Sequence, residues 1–405
     1  MNRESAAAPE LLLAGGRVVT PYRVLERGGV WIRGGKIAAV GPAADFAGVA
    51  GAGVRRIDCT GCIVAPGFVD IHVHGAGGGD TMAGTPEAVR ALAAWHARGG
   101  TTSLLPTTLT ASPEAIDRAL AAVAQVMREE PRDRARVLGA HVEGPHINPE
   151  QAGAQNPAYV RGATAADIAF LTERAGCIRV VTAAPEIEGG LELGTALARA
   201  GIVASIGHSS ALYPDVVRAA ECGYRSVTHL FCAMRPWINV RGDKTAGLVE
   251  SAFLLDELFV EVIADLNHVS AHLMQLVFKV KGADRVALVT DAMWATGLPP
   301  GPYKMGGLDI VVTPTSARLA DDSANAGSVA TMDACVRNAV LHAGVPLEAA
   351  LRSASLTPAT LIGASDRKGS LAPGKDGDVT VLTGDLQVRA TIVGGRVVYE
   401  RPQPA

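Results

Sequence analysis

His72 and His74 stand two residues apart at the end of an apolar run, Phe68-Val69-Asp70-Ile71. Side chains two apart on a strand share a face, so both imidazoles can point into one cavity and bind one ion. A His-x-His pair alone is a weak signal. It gains weight from four further ligand-type residues, each placed after a short apolar run. Glu143 follows Ala140-His141-Val142, His208 follows Ala204-Ser205-Ile206-Gly207, His229 follows Ser226-Val227-Thr228, and Asp291 follows Leu288-Val289-Thr290. Strand ends that jointly present His, Glu and Asp would be costly in a core without partners, and a cation supplies the partners. The set offers N and O donors and no thiolate, which suits Zn²⁺, with Fe²⁺, Mn²⁺ or Co²⁺ open. Glu143, His208 and His229 could hold one ion, and His72 with His74 a second beside it. A bound divalent ion brings the pKa of its water to about 7. Asp291 could then take that water's proton and return it to a leaving group, which is the chemistry of hydrolysis.

The other histidines read differently. His96, His272 and His342 fall in helix-like segments and belong to core or surface. His141 shares the strand of Glu143 and could sit behind it. His146, in Gly144-Pro145-His146, and His268, just past a strand end, are candidates for substrate contact. Cys59-Thr60-Gly61-Cys62 is a lone C-x-x-C with no second pair at matching spacing, so it reads as buried and reduced thiols rather than a zinc or redox site.

The elements that must position these residues follow an alternating pattern. Apolar runs at 103–107, 136–140, 178–182, 202–206, 225–228, 259–263 and 286–290, with the one before His72, alternate with Ala-rich helical stretches. Continuous apolar strands alternating with helices indicate a parallel sheet covered on both sides. Their number fits a closed (β/α)8 barrel, whose active site forms at the carboxyl ends of the strands. An open doubly wound sheet is the structural alternative, but it would usually carry a Gly-rich phosphate loop, and none is present. Gly75-Ala76-Gly77-Gly78-Gly79 reads as a flexible loop. The first sixty and last thirty residues instead show short strands joined by Gly turns, for example 17–20, 29–32 and 36–40, then 378–382, 389–393 and 396–399. Both ends are therefore expected to build one small β module. The expected division is 1–65 and 373–405 for that module and 66–372 for the barrel.

The chain has 405 residues, 48% of them hydrophobic, enough for a barrel with an added module. Its net charge of −3 shows no basic footprint for nucleic acid. No apolar run reaches the length of a membrane helix, and Leu11-Leu12-Leu13-Ala14 is too short for a signal sequence, so a cytoplasmic location is expected.

His141-Val142-Glu143-Gly144-Pro145-His146 resembles the H-x-E-G-P segment of N-acetylglucosamine-6-phosphate deacetylases of the amidohydrolase superfamily. Pro66-Gly67-Phe68-Val69-Asp70-Ile71-His72-Val73-His74-Gly75 resembles their first-strand motif. Gly207-His208-Ser209, Thr228-His229-Leu230-Phe231, Val289-Thr290-Asp291-Ala292-Met293, Ala326-Gly327-Ser328, Thr357-Pro358-Ala359 and 369–375 match in order, from about residue 10 to 400. The resemblance implies a TIM-like barrel with a small β-sandwich domain and removal of acetate from an amino-sugar phosphate. It puts Glu143, His208 and His229 at the family's metal positions and Asp291 at its acid/base position. Some members use one ion and lack the first His pair, whereas both His are kept here. It also implies a homodimer in which one subunit helps hold the other's substrate phosphate, with Arg241 and His268 nearest those positions.

The departures fall around the ligands. Gln155 stands where the family has a sugar-contacting His, and unlike His it cannot become cationic. Cys232 replaces an Asn, with the backbone amides of Cys232 and Ala233 left to hold a phosphate. His146 replaces an aromatic residue, and Ala324-Asn325-Ala326 before Gly327 replaces the usual Thr-Leu-Ala. The resemblance thus extends substrate binding to Asn325, Ala326 and Gly327 in altered form. Kept ligands and changed surroundings lead to N-acetylglucosamine 6-phosphate as the expected substrate, with a galacto-configured or unphosphorylated N-acyl amino sugar as the alternative. A cyclic-amide hydrolase would usually bridge two ions with a carboxylated Lys, and no Lys lies at a strand end. A non-enzymatic scaffold tends to have lost ligands, and all of them are present here.

Overall fold

The computed structural model describes residues 10–49 and 53–402. The outermost parts of the expected β module, 1–9, 50–52 and 403–405, lie outside the described residues.

A nine-stranded sheet forms the centre of the molecule. Eight of its strands run in parallel in chain order: Phe68–Val73, Thr101–Thr108, Ala140–Glu143, Ile178–Ala183, Val203–Ile206, Tyr224–Val227, Phe259–Ile263 and Val286–Val289. The ring closes from last strand to first. Asp291 N–H donates to His72 O at 2.9 Å, His74 N–H to Ala292 O at 2.9 Å, and Val73 bridges Ala292 in parallel. These are the strands expected from the apolar runs, with one shift. The run 136–140 is split, and only Arg136–Val137 and then Ala140–Glu143 pair with neighbours. Gly139 breaks it at φ 150°, where an added Cβ would meet Cys177 O at 2.5 Å.

Helices cover the outside of the ring, and their starts are written in the sequence. Thr85 and Ser112 cap helices Pro86–Ala97 and Pro113–Met127, each with Pro in the first turn. Helix Pro113–Met127 buries Ile116, Ala119, Leu120, Val123 and Val126, a stripe at helical spacing that lies in the layer between helices and strands. Inside the ring a second cluster fills the end away from the histidines, including Val69, Ile71, Leu105, Val180, Phe259, Ala287 and Val289. The mouth is extended by a hairpin, Ile238–Val240 with Asp243–Thr245. A three-stranded antiparallel sheet, Gly301–Met305, Leu308–Val312 and Ala317–Leu319, extends it further.

Strands from both chain ends form a separate eight-stranded sheet. Strand Glu10–Val19 pairs Val54–Asp58 along its first half and Ile63–Val64 along its second. Ile63–Pro66 in turn pairs Val379–Leu382, joining the two ends of the chain. The sheet folds over on itself around Leu11, Leu13, Ile32, Val64, Val381 and Ile392. Ile32 packs so close to Gly377 and Gly395 that neither could carry a Cβ. The thiols of Cys59 and Cys62 are free, and the former is pushed up to about 12, chiefly by burial. The Gly75–Gly79 segment is not a loose loop. Gly75–Ala76 pairs Gly79–Asp80, and Cβ atoms at Gly75 and Gly79 would lie 2.3 Å from Gly79 O and 2.4 Å from Ala88 O. Packing against the neighbouring helix requires glycine at 77 and 79, where a Cβ would meet Trp95 and Ala88 O.

Candidate metal centre and active site

Each ligand-type residue lies at the carboxyl end of its strand. Glu143 is the last residue of the third strand, His72 lies inside the first, and His74 is one residue past it. His208, His229 and Asp291 lie two residues past the ends of their strands, at φ 49°, 30° and 48°. Left-handed backbone is uncommon outside glycine, and its recurrence at three converging side chains marks a functional constraint.

Glu143 is the hub. Its Oε1 lies 3.2 Å from His208 Nε2, 3.1 Å from His229 Nε2 and 3.5 Å from His72 Nε2. Its Oε2 lies 3.3 Å from His74 Nε2. Asp291 Oδ1 sits across from it, 3.1 Å from His74 Nε2 and 3.5 Å from His72 Nε2. The six side chains are buried. Groups that can only accept orient the rings. His74 Nδ1 lies 3.2 Å from Thr107 O and His208 Nδ1 2.8 Å from Gln151 O, so each Nδ1 carries a proton and each Nε2 turns its lone pair to the centre.

This geometry fits a divalent cation. His208 Nε2 and His229 Nε2 approach to 3.1 Å, and His72 Nε2 and Asp291 Oδ1 are buried without a hydrogen-bond partner. Among the described residues three sets converge closely enough to share an ion: Glu143 with His208 and His229, Glu143 with His72 and His74, and His72 with His141 and Glu261, the last with both His141 nitrogens already engaged. The electrostatics agree. Burial opposes a charge on His72, yet Glu143, Asp291 and Glu261 hold its pKa well above the usual value. Burial likewise opposes His74, but Asp291 and Glu143 raise it to about 9. Burial favours the neutral form of Asp291, and His72 and His74 nevertheless hold it at about 2. A field that binds protons this firmly is a field for cations.

The centre opens into a cavity of about 410 Å³. Gln155, Cys232, Ala233, His268, Asn325 and Gly327 all line it. Ala326 does not. It turns into the apolar cluster beneath, and its amide bonds Ala317 O. Arg241 is absent from the lining and sits at the exposed tip of the hairpin. His268 lines this chain's own cavity, with Nδ1 2.8 Å from Asp265 Oδ2. The Cys232 amide already donates to His229 O at 2.9 Å, which removes it as an anion donor and leaves that of Ala233. His146 points away, into a separate apolar cavity, with Nδ1 3.1 Å from Gly162 O. His141 is held on both sides, by Ile71 O at 3.0 Å and Thr182 Oγ1 at 2.7 Å, and burial keeps it well below the usual range.

The sequence reading missed Glu261, a lone acid inside the apolar strand Phe259–Ile263 and fully buried against His72. The signal was available as a charge on an inward position. It also missed Met305, which reaches the cavity from the added three-stranded sheet, and Glu150 and Gln151 from the loop after the third strand. No spacing marks these.

The amidohydrolase family model matches residues 63–398. N-acetylglucosamine-6-phosphate deacetylase of Lysinibacillus sphaericus is 33% identical over 92% of this chain and 93% of its own length. The human enzyme of that name is 35% identical over 96% and 97%. A variant of the Mycobacterium smegmatis deacetylase in complex with N-acetyl-D-glucosamine-6-phosphate superposes with a TM-score of 0.87 at 35% identity. The match covers 96% of this chain and 99% of that one. The chain belongs to the amidohydrolase family, hydrolases of carbon–nitrogen amide bonds, and within it to the N-acetylglucosamine-6-phosphate deacetylases.

Proposed function

We propose that this chain hydrolyses the N-acetyl group of N-acetylglucosamine 6-phosphate to give glucosamine 6-phosphate and acetate. The convergence of Glu143, His208 and His229 opposite Asp291, at the floor of one cavity, carries the reading. Glu143, His208 and His229 would hold one ion and His72 with His74 a second, and the N/O donor set favours zinc. When bound, the ion supplies Lewis acidity to the scissile carbonyl and the attacking water. Asp291 is the proton carrier. Its Oδ1 is buried without a hydrogen-bond partner beside the ligand set, so it can accept the water's proton as the oxygen attacks the amide carbon. The C–N bond then breaks, and Asp291 returns the proton to the departing amine. Cys232, Ala233, His268, Asn325 and Gly327 would contact the sugar, while Gln155, whose amide is taken by Thr110 and Glu143, would hold Glu143 in place.

The small β module would comprise 1–65 and 373–405 and the barrel 66–372. Free cysteines fit a cytoplasmic enzyme. A homodimer would bring Arg241 of one subunit to the other's cavity.

One observation favours an unphosphorylated or galacto-configured substrate instead. No Lys or Arg is among the described residues lining the cavity, and Glu150 adds a further acid. Comparing kcat/KM for N-acetylhexosamines with and without the 6-phosphate separates the two readings. The phosphosugar reading expects a loss of at least about tenfold on removing the phosphate, since charge-assisted anion contacts contribute about 1.5–3 kcal/mol. Equal values would refute it.

A further inference from the structure

Glu261 occupies the middle of the seventh barrel strand, on the same face as Phe259 and Ile263, both of which pack in the apolar cluster inside the ring. Its ladder partner is Ala287. An apolar side chain is what these surroundings would ordinarily select, and a buried carboxylate persists there only with partners. One of its oxygens has two. Oε2 lies 3.0 Å from His72 Nδ1 and accepts the backbone N–H of His229 at 3.3 Å. Oε1 is buried with no partner at all. Both contacts of the Glu261 side chain therefore go to the metal centre, and one oxygen touches both ligand sets.

We propose that Glu261 is a positioning residue that fixes His72 as an Nε2 ligand and couples the two ion sites. The inference rests on the metal reading above. A carboxylate at Nδ1 keeps the proton on that nitrogen, turns Nε2 and its lone pair inward, and makes the ring a more basic donor. The amide bond to Glu261 also pins the backbone at His229, a residue at φ 30° with no second-row partner on its own Nδ1. His72 and His229 are thus oriented through one group, although 157 positions separate them in the chain and neither touches the other's strand in the ladder.

The test uses Glu261→Gln in the full chain, which keeps the size and one acceptor but removes the charge. Metal content and affinity are measured by elemental analysis and by competition with a chromophoric zinc chelator, alongside melting of the metal-free proteins. The expected result is two ions per wild-type chain, with the variant binding at least one of them about 10–100-fold more weakly and the metal-free melting temperatures nearly equal. A wild-type chain holding a single ion would overturn the two-ion reading alone. Glu261 is then still tested through its bond to His229, by whether that ion weakens tenfold in the variant. Unchanged affinity and stoichiometry in Glu261→Gln overturn the inference in either case. If the Gln variant does not fold, Glu261→Asp, which retains the charge at a shorter reach, is read on the same scale.

Discussion

Replacing Gln155 tests what the departure at this position does. The side chain is 4% exposed and both ends of its amide are taken. Oε1 accepts Thr110 N–H at 2.7 Å, which forces the NH2 end toward Glu143, whose Oε2 accepts from Nε2 at 2.5 Å. Gln155 therefore holds the one ligand on which both ion sites depend. In Gln155→Leu a neutral bond of about 0.5–1.5 kcal/mol and a charge-assisted one of about 1.5–3 kcal/mol are lost together, roughly 2–4.5 kcal/mol. For a chain of 405 residues at about 2.1 cal/mol/K each, that lowers the melting temperature of the metal-free protein by roughly 2–5 °C. Loss of a hydrogen bond to a metal-bound carboxylate should also weaken the ion by about 10–100-fold. Calorimetry and chelator competition read the two effects. Gln155→Glu should be worse on both, because it sets a like charge against Glu143. A Gln155→Leu protein with wild-type melting and metal affinity but a raised KM would refute this account and return Gln155 to the sugar-contacting role that the resemblance implies.

Asp291→Asn removes the proposed proton carrier while keeping its shape, and kcat/KM should fall by about 10²–10⁴-fold with metal content retained. Near-normal turnover in the metal-loaded variant would exclude that role. His96 supplies a pH dependence independent of the metal. Burial lowers its pKa to about 4, from 6.5 in the open chain, with only Gly75 O opposing. Between these values the unfolded chain binds the proton and the native one does not. Stability therefore falls as the pH drops through the window, by about 1.4 kcal/mol per unit. Urea melts of metal-free wild type and His96→Gln from pH 7 to 4.5 should diverge in slope by that amount, and parallel curves would show that His96 is not buried neutral.

The chemistry was legible wherever a chemical group coincided with a change of local pattern. His208, His229 and Asp291 each end an apolar run, so their position at the barrel mouth follows from the alternation of strands and helices. The end strands were legible for the same reason, since glycine turns punctuate them. What stayed hidden depends on contacts between distant segments. Glu261 reads as an isolated acid until His72, 189 residues away, is placed against it. Gln155 reads as a replaced sugar contact until Thr110 fixes which way its amide points. The glycines at 75–79 read as freedom, and only the approach of the neighbouring helix turns Gly77 and Gly79 into a requirement for close packing. Local pattern could thus identify ligands but not what orients them. The residues that orient them, Glu261 and Gln155, are the ones whose substitution would separate a ligand set that merely survives from one that still binds ions tightly. If both variants lose metal while the ligands themselves are intact, the selectivity of this centre lies in the groups behind the ligands, and sequence motifs confined to the ligands would overstate how many related chains share its affinity.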